Sequence, residues 1–248
     1  MNGPVHDPLS RRDFVQRGLV LGGLAFAGGS LLTGCQSAPA GNSAALPGPE
    51  WPNESFSPPV SRVPAAPAPV PVVGPPKNVI PRSAWAKAGP KMSMSKPMNG
   101  IQRITIHHDA TNSSGLRGQS AVARRLESIR QYHRSRGSTW VDIGYHYIID
   151  PEGRVWEGRS LSIEGAHVKA TNEHNLGVML LGNFNIQRPT GAQISTLNGF
   201  VRNQMSRYRV ATNRLYTHRE LNPSECPGTN LQAYMEKARS RGGPLVLG

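Results

Sequence analysis

His107 closes an apolar run, Arg103-Ile104-Thr105-Ile106-His107, while His218 and Cys226 stand far downstream in the segment Thr217-His218-Arg219-Glu220-Leu221-Asn222-Pro223-Ser224-Glu225-Cys226-Pro227-Gly228. Two imidazoles and one thiolate suit Zn²⁺, with bonds of about 2.0–2.1 Å to nitrogen and about 2.3 Å to sulfur. Sharing one ion would force the end of an early strand against a late loop. That constraint excludes any architecture that keeps the two segments apart. Three protein ligands also leave a fourth tetrahedral position for water or a substrate carbonyl, which separates catalytic from structural zinc. The only cysteines are Cys35 and Cys226. A chain without a disulfide framework relies on its core or on a metal, which favours Cys226 as a thiolate ligand over an inert buried thiol. The residues read as a zinc hydrolase.

The runs around these residues predict a mixed α/β domain. Arg103–His107 and Ile143–Asp150 are β-rich, and Pro151-Glu152-Gly153 turns the second run into Arg154–Glu157 as a hairpin. Leu176–Leu181 is continuously apolar, fit for a strand covered on both faces, and Arg214–Thr217 is a short strand that delivers His218. Between Ser120 and Arg136, the residues Val122, Leu126, Ile129 and His133 form one stripe of a helix. Thr190-Gly191-Ala192-Gln193 is a capping-box pattern ahead of Ile194, Leu197, Val201, Met205 and Tyr208. Thr229-Asn230-Leu231-Gln232 repeats that pattern, with a stop expected at Gly242-Gly243. The fold class is α/β: a single domain with a central mixed β-sheet flanked by helices. Strand alternation puts Tyr145, Tyr147 and Ile149 on one face and His146 and Ile148 on the other. It likewise points His108 away from His107, onto the core face of Ile104 and Ile106. A tyrosine beside zinc can donate a hydrogen bond to a developing oxyanion; spacing alone favours a core aromatic for Tyr145.

Outside this domain the composition changes. Ser10-Arg11-Arg12-Asp13-Phe14 is a twin-arginine pattern, followed by a Gly-interrupted apolar run too short for a transmembrane span. That run ends in Leu32-Thr33-Gly34-Cys35, which resembles the lipobox of bacterial lipoproteins, with Cys35 as the lipidated residue. Residues 1–35 are thus an export signal. Residues 36–77 hold 12 of the 22 prolines. Such a tether is biased to polyproline II and reaches on the order of 130 Å at about 3.1 Å per residue. The globule spans 78–241, and 242–248 is a tail. The net charge of +13 suits an anionic envelope polymer; its scattered cations accompany no nucleic-acid motif.

Ile104-Thr105-Ile106-His107-His108, Ile143-Gly144-Tyr145-His146-Tyr147, Gly165-Ala166-His167 and His218-x₇-Cys226-Pro227 occur in one order, after Pro81-Arg82-Ser83-Ala84-Trp85 as a domain entry. Together they resemble the type-2 N-acetylmuramoyl-L-alanine amidases, the superfamily that includes peptidoglycan recognition proteins. The resemblance implies that His107, His218 and Cys226 ligate zinc and that Tyr145 is the catalytic tyrosine. It implies a second polar catalytic group two residues before the cysteine, here Ser224, where phage-type amidases carry lysine and many recognition proteins threonine. It also implies that His167 and Asn172 contact substrate at the cleft edge. The implied activity is hydrolysis of the amide joining N-acetylmuramic acid to L-alanine, with peptidoglycan or muropeptides as partner. The alternative is a non-catalytic peptidoglycan-binding module. A monomer is expected, exported to the cell envelope and held to a membrane through Cys35, the outer membrane facing the periplasm in a diderm cell.

Overall fold

The computed structural model describes residues 68–247 apart from 73, 75, 138 and 139. The expected export signal with Cys35, and the expected tether up to residue 67, lie outside the described residues.

Among the described residues six strands follow in chain order: β1 (Val79–Ile80), β2 (Arg103–His108), β3 (Tyr147–Ile149), β4 (Val155–Glu157), β5 (Asn175–Leu180) and β6 (Leu215–Thr217). They form one sheet in the order β1-β4-β3-β5-β2-β6. The β3–β4 hairpin is antiparallel and the other neighbours run parallel, which makes the sheet mixed as expected. Helix α1 (Gln119–Ser135) covers one face; α2 (Gly191–Tyr208) and α4 (Thr229–Arg239) cover the other; α3 (His218–Leu221) is a single turn after β6.

The alternation of β2 and β5 decides which side chain goes where. Ile104, Ile106, Leu176, Val178 and Leu180 pack against Leu197, Val201, Met205, Leu231 and Met235 of α2 and α4. Ile148, Trp156 and Met179 face the other way, under Val122 and Leu126 of α1. Every residue of β5 is buried, which its unbroken apolar run requires of a central strand. Fully burying one such aliphatic side chain is worth about 1.5–3 kcal/mol.

Local signals account for several boundaries. The Thr190 capping box forms: Thr190 Oγ1 accepts the Gln193 N–H at 3.0 Å, and Gln193 Oε1 accepts the Thr190 N–H at 3.1 Å. The Thr229 box does not. Its N-cap is Gly228, and both the N–H and the hydroxyl of Thr229 donate to Asn185 Oδ1. A neighbouring loop supplies the acceptor that the cap would have given. The hairpin turn is built by Asp150, whose carboxylate accepts the N–H groups of Glu152 and Arg154, the Arg154 guanidinium and the Trp156 indole N–H.

The globule is larger than 78–241. Val70 exchanges backbone hydrogen bonds with Ile101, Val70 and Val72 pack on the core, and Leu245 is fully buried. Isolated apolar residues in a proline-rich stretch and in a short tail carry no periodicity, so their docking left no sequence pattern. Helix α4 ends at Arg239, before the Gly242-Gly243 stop, and the chain turns so that the Leu245 N–H reaches Ala238 O at 2.9 Å.

An ion pair ties α1 to the domain entry. Glu127 and Arg130 are each 5 % exposed. Arg130 Nε and Nη2 donate to the Glu127 carboxylate at 2.7 and 2.6 Å, and the Lys87 N–H joins at 3.3 Å. The Arg130 hydrogen bonds hold the Glu127 carboxyl down to about 2. A depressed carboxylate stabilises the fold above its unfolded pKa, and that contribution disappears as pH falls through the folded value. Glu127→Ala leaves Arg130 buried without its anion and is expected to cost about 3–5 kcal/mol. Urea unfolding at pH 7 measures it; a loss below about 1 kcal/mol, the size of an exposed pair, would show the pair to be idle.

Candidate metal centre and cleft

β2 and β6 are parallel neighbours with Ile106 opposite Thr217, so their carboxyl ends lie side by side. Ligand sites of open α/β sheets form at such ends. His107 is the penultimate residue of β2, and His218 opens α3 directly after β6; their ring centroids are 4.9 Å apart. His218 therefore sits on a helix turn and not in a loop. The signal was Thr217-His218-Arg219-Glu220, an S/T-x-x-E box, in which Glu220 Oε2 accepts the Thr217 N–H at 2.8 Å.

Cys226 returns to this point because the segment folds back on α3. The Arg219 N–H donates to Cys226 O at 3.0 Å, and the Arg219 guanidinium to Glu225 O at 2.7 Å. β6 stops pairing at Thr217, and the His108 N–H one residue beyond His107 donates to Cys226 Sγ at 3.3 Å. Gly228 ends the turn at φ +87°, where an added Cβ would lie 2.5 Å from the backbone carbonyl carbon of Phe184. Only glycine fits there.

The three ligand atoms of His107, His218 and Cys226 lie within 4.8 Å of one another. His107 Nδ1 stands 3.6 Å from Cys226 Sγ. Two bonds of about 2.1 and 2.3 Å meeting at a tetrahedral angle put their far ends about 3.6 Å apart. The donor set fits zinc in type and in spacing. Burial holds His107 well below the usual imidazole range, helped by His167 and His218, and burial also lowers His218. Both are neutral donors. Burial pushes the Cys226 thiol up to about 12, so ligation displaces its proton.

Tyr145 reaches the centre by a route the alternation did not predict. Tyr147 and Ile149 belong to the core under α2 and α4, whereas Tyr145 packs with Ile143 and Ile148 on the α1 side. Residues 143–146 are not strand. The cause is His146: its N–H donates to Gly177 O, and its Nδ1 accepts the Gly177 N–H, each at 3.0 Å, so a side chain enters the ladder and the pleat breaks. His146 Nε2 donates to Ile163 O at 3.2 Å, making it a structural residue with both nitrogens engaged. The Tyr145 ring lies 5.2 Å from that of His107. Burial, with Cys226 and Asp109 adding to it, raises the Tyr145 phenol far above its usual range, so it is a proton donor and never a phenolate in neutral solution. His108 points to the opposite face, against Phe184, as expected.

The remaining expected residues lie nearby. Ser224 Oγ accepts the Cys226 N–H at 3.1 Å, which fixes the metal loop and leaves the hydroxyl proton available. Asn172 Oδ1 accepts the N–H groups of His167 and Val168, both at 2.9 Å. His167 is 7 % exposed, and its polar atoms turn inward: Nδ1 is 3.0 Å from His107 Nε2 and Nε2 is 3.1 Å from Asn175 O. Beside these residues opens a cleft of about 990 Å³ whose walls include Lys96, Arg136, Trp140 and Lys169, with Glu164 the one acidic lining residue among the described residues.

A family model described as N-acetylmuramoyl-L-alanine amidase matches residues 97–229, more than half of the chain. The chain belongs to this amidase family. Peptidoglycan-recognition protein SC2 of Drosophila melanogaster is 35% identical over 157 residues, 62% of this chain and 82% of that protein. The endolysin of Escherichia phage T7 is 31% identical over 147 residues, 57% of this chain and 90% of that protein. Among solved structures, peptidoglycan recognition protein-LE in complex with tracheal cytotoxin aligns with a TM-score of 0.54 at 27% identity, covering 63% of this chain and 92% of that one.

Two residues of this amidase-family cleft went unassigned in the sequence. His133 was legible as part of the inward stripe of α1 but carried no role. Its Nδ1 accepts the Gly144 N–H at 3.0 Å, and its ring stands 4.7 Å from Trp140 and 5.8 Å from Tyr145, buttressing the tyrosine. Arg159 gave no signal at all. It is 3 % exposed and donates to the carbonyls of Ile143, Glu164 and Asp142 at 2.7, 2.7 and 3.1 Å, tying two walls of the cleft together.

Proposed function

We propose that the chain is a zinc-dependent amidase that hydrolyses the bond between N-acetylmuramic acid and L-alanine in peptidoglycan or muropeptides. One observation carries the reading: an intact His107–His218–Cys226 donor set, at zinc spacing, with the Tyr145 ring against it in an open cleft. The similarity to a phage endolysin and to a recognition protein solved with a monomeric diaminopimelic acid-type peptidoglycan supports the same substrate class. Bound zinc supplies Lewis-acid charge that polarises a carbonyl and eases deprotonation of water near neutral pH. The protein's own groups do the rest. Tyr145 offers a permanent phenolic proton to the oxyanion that develops on the attacked carbonyl. Ser224 offers a second hydroxyl from the metal loop, while Lys96, Arg136 and Lys169 give the cleft positive charge for the carboxylates of a stem peptide.

Product chemistry tests the reading. Purified sacculi digested with the zinc-loaded protein should release intact stem peptides with a free L-alanine amine and leave glycan strands uncut. New reducing ends without free peptide would make the protein a glycosidase, and tight binding with no product at all would make it a recognition module.

The Leu32–Cys35 motif motivates a further part of the proposal: anchorage of an exported protein to a membrane through Cys35, the outer membrane in a diderm cell. Among the described residues no helix is long and apolar enough to cross a membrane. Cys35→Ala should move the protein from the membrane fraction to the soluble fraction; unchanged membrane association after a salt wash would refute lipidation.

A further inference from the structure

We propose that His167 is a positioning residue for the metal centre, fixing the tautomer and the plane of His107 so that Nδ1 is the ligating nitrogen. The inference rests on the zinc-amidase reading and assigns a cause to its geometry.

The hydrogen bonds settle the direction of the protons. Asn175 O is a backbone carbonyl and can only accept, so His167 Nε2, 3.1 Å away, carries a proton. A buried imidazole with no carboxylate hydrogen-bonded to it is neutral and has a single N–H, so His167 Nδ1 is an acceptor. His107 Nε2, 3.0 Å from that acceptor, must donate to it. A neutral His107 then keeps a bare lone pair on Nδ1, the atom 3.6 Å from Cys226 Sγ. Metal-ligating histidines commonly donate their other ring N–H to an acceptor that sets tautomer and orientation. Here the acceptor is a second histidine, oriented in turn by a main-chain carbonyl.

The fold holds that second histidine tightly. An added Cβ at Gly165 would fall 2.3 Å from His167 Cδ2, and one at Gly177 would fall 2.7 Å from the same atom, so two glycines form the slot for the ring. Asn172 clamps the His167 N–H, and Asn175 is itself held by Thr105 Oγ1 at 2.8 Å and Thr171 O at 2.7 Å. With both ring nitrogens engaged, His167 has none free to hydrogen-bond a substrate. Its contribution passes through His107.

The test is zinc affinity by chelator competition, with the visible spectrum of the cobalt(II)-substituted full-length protein as a second readout. His167→Leu removes the acceptor; His167→Asn keeps an oxygen near the position of Nδ1. Loss of such an outer partner typically costs about 10–100-fold in metal affinity, and that loss is expected for Leu together with altered cobalt bands. The Asn variant should recover most of the affinity and the parent bands. Unchanged zinc affinity and an unchanged cobalt spectrum in His167→Leu would overturn the proposal, and so would equal losses in both variants. Should the Leu variant fail to fold, the Asn variant decides alone: a loss of about 10–100-fold there overturns it. Wild-type protein that binds zinc but releases no peptide from sacculi would defeat the amidase reading and leave this inference standing. A His167→Asn protein with parent zinc affinity and a raised KM alone would return His167 to substrate binding and leave the amidase reading standing.

Discussion

Cys226→Ser should lose zinc and peptide release together, and this is the largest effect expected of any single substitution. Sulfur is the one soft donor among His107, His218 and Cys226, and a serine hydroxyl is neither as easily deprotonated nor as polarisable. The loss should exceed the roughly 10–100-fold in affinity that removal of an outer-sphere partner costs. Two further features bind the prediction to this site. The sulfur accepts the His108 N–H, and its loop is fastened onto α3 through Arg219, so position 226 is held at the two histidines. Elemental analysis of the purified variant checks it. Stoichiometric zinc in Cys226→Ser protein would sink the ligand assignment, even if activity fell.

Tyr145→Phe should behave in the opposite way for metal and in the same way for turnover. The ring packs between His107 and His133 at 5.2 and 5.8 Å, contacts that phenylalanine preserves, so fold and zinc content should stay. What goes is a phenolic donor beside the centre. Removing one preorganised oxyanion donor costs about 10²–10³ in rate, or roughly 2.7–4 kcal/mol of transition-state stabilisation. The deficit belongs in kcat, with KM for a soluble muropeptide nearly unchanged. Near-parent kcat in a zinc-loaded Phe variant would make Tyr145 a packing residue.

How far the site was legible depended on which physical rule governed each residue. Where a strand stayed regular, alternation was enough: His107 and His108 fall on opposite faces of β2 as their spacing demands. At Tyr145 the same rule reached the right neighbourhood for the wrong reason, because the His146 ring breaks the pleat and rotates the tyrosine onto the α1 face. No count of spacings reveals a side chain that takes a backbone partner. Caps show the same division. Thr190 with Gln193 closes its box locally, whereas Thr229 gives up its cap to Asn185, a residue distant in sequence. The cluster of His107, His218 and Cys226 was readable because two histidines and a cysteine are few in the sequence and suit one metal ion; Arg159, one arginine among many, acquires its meaning only from the three carbonyls it gathers.

His107 and Cys226 belong to opposite ends of the folded chain, the first on β2 and the second just ahead of α4. An ion held between them makes the folding equilibrium subject to mass action. Free zinc at one hundred times its dissociation constant adds about 2.7 kcal/mol to the native state, a sizeable share of the roughly 5–15 kcal/mol that keeps a domain folded. With zinc as the proposed ion, the melting temperature should therefore follow the free metal concentration, and metal starvation should weaken fold and activity by degrees rather than switch off an otherwise unchanged scaffold.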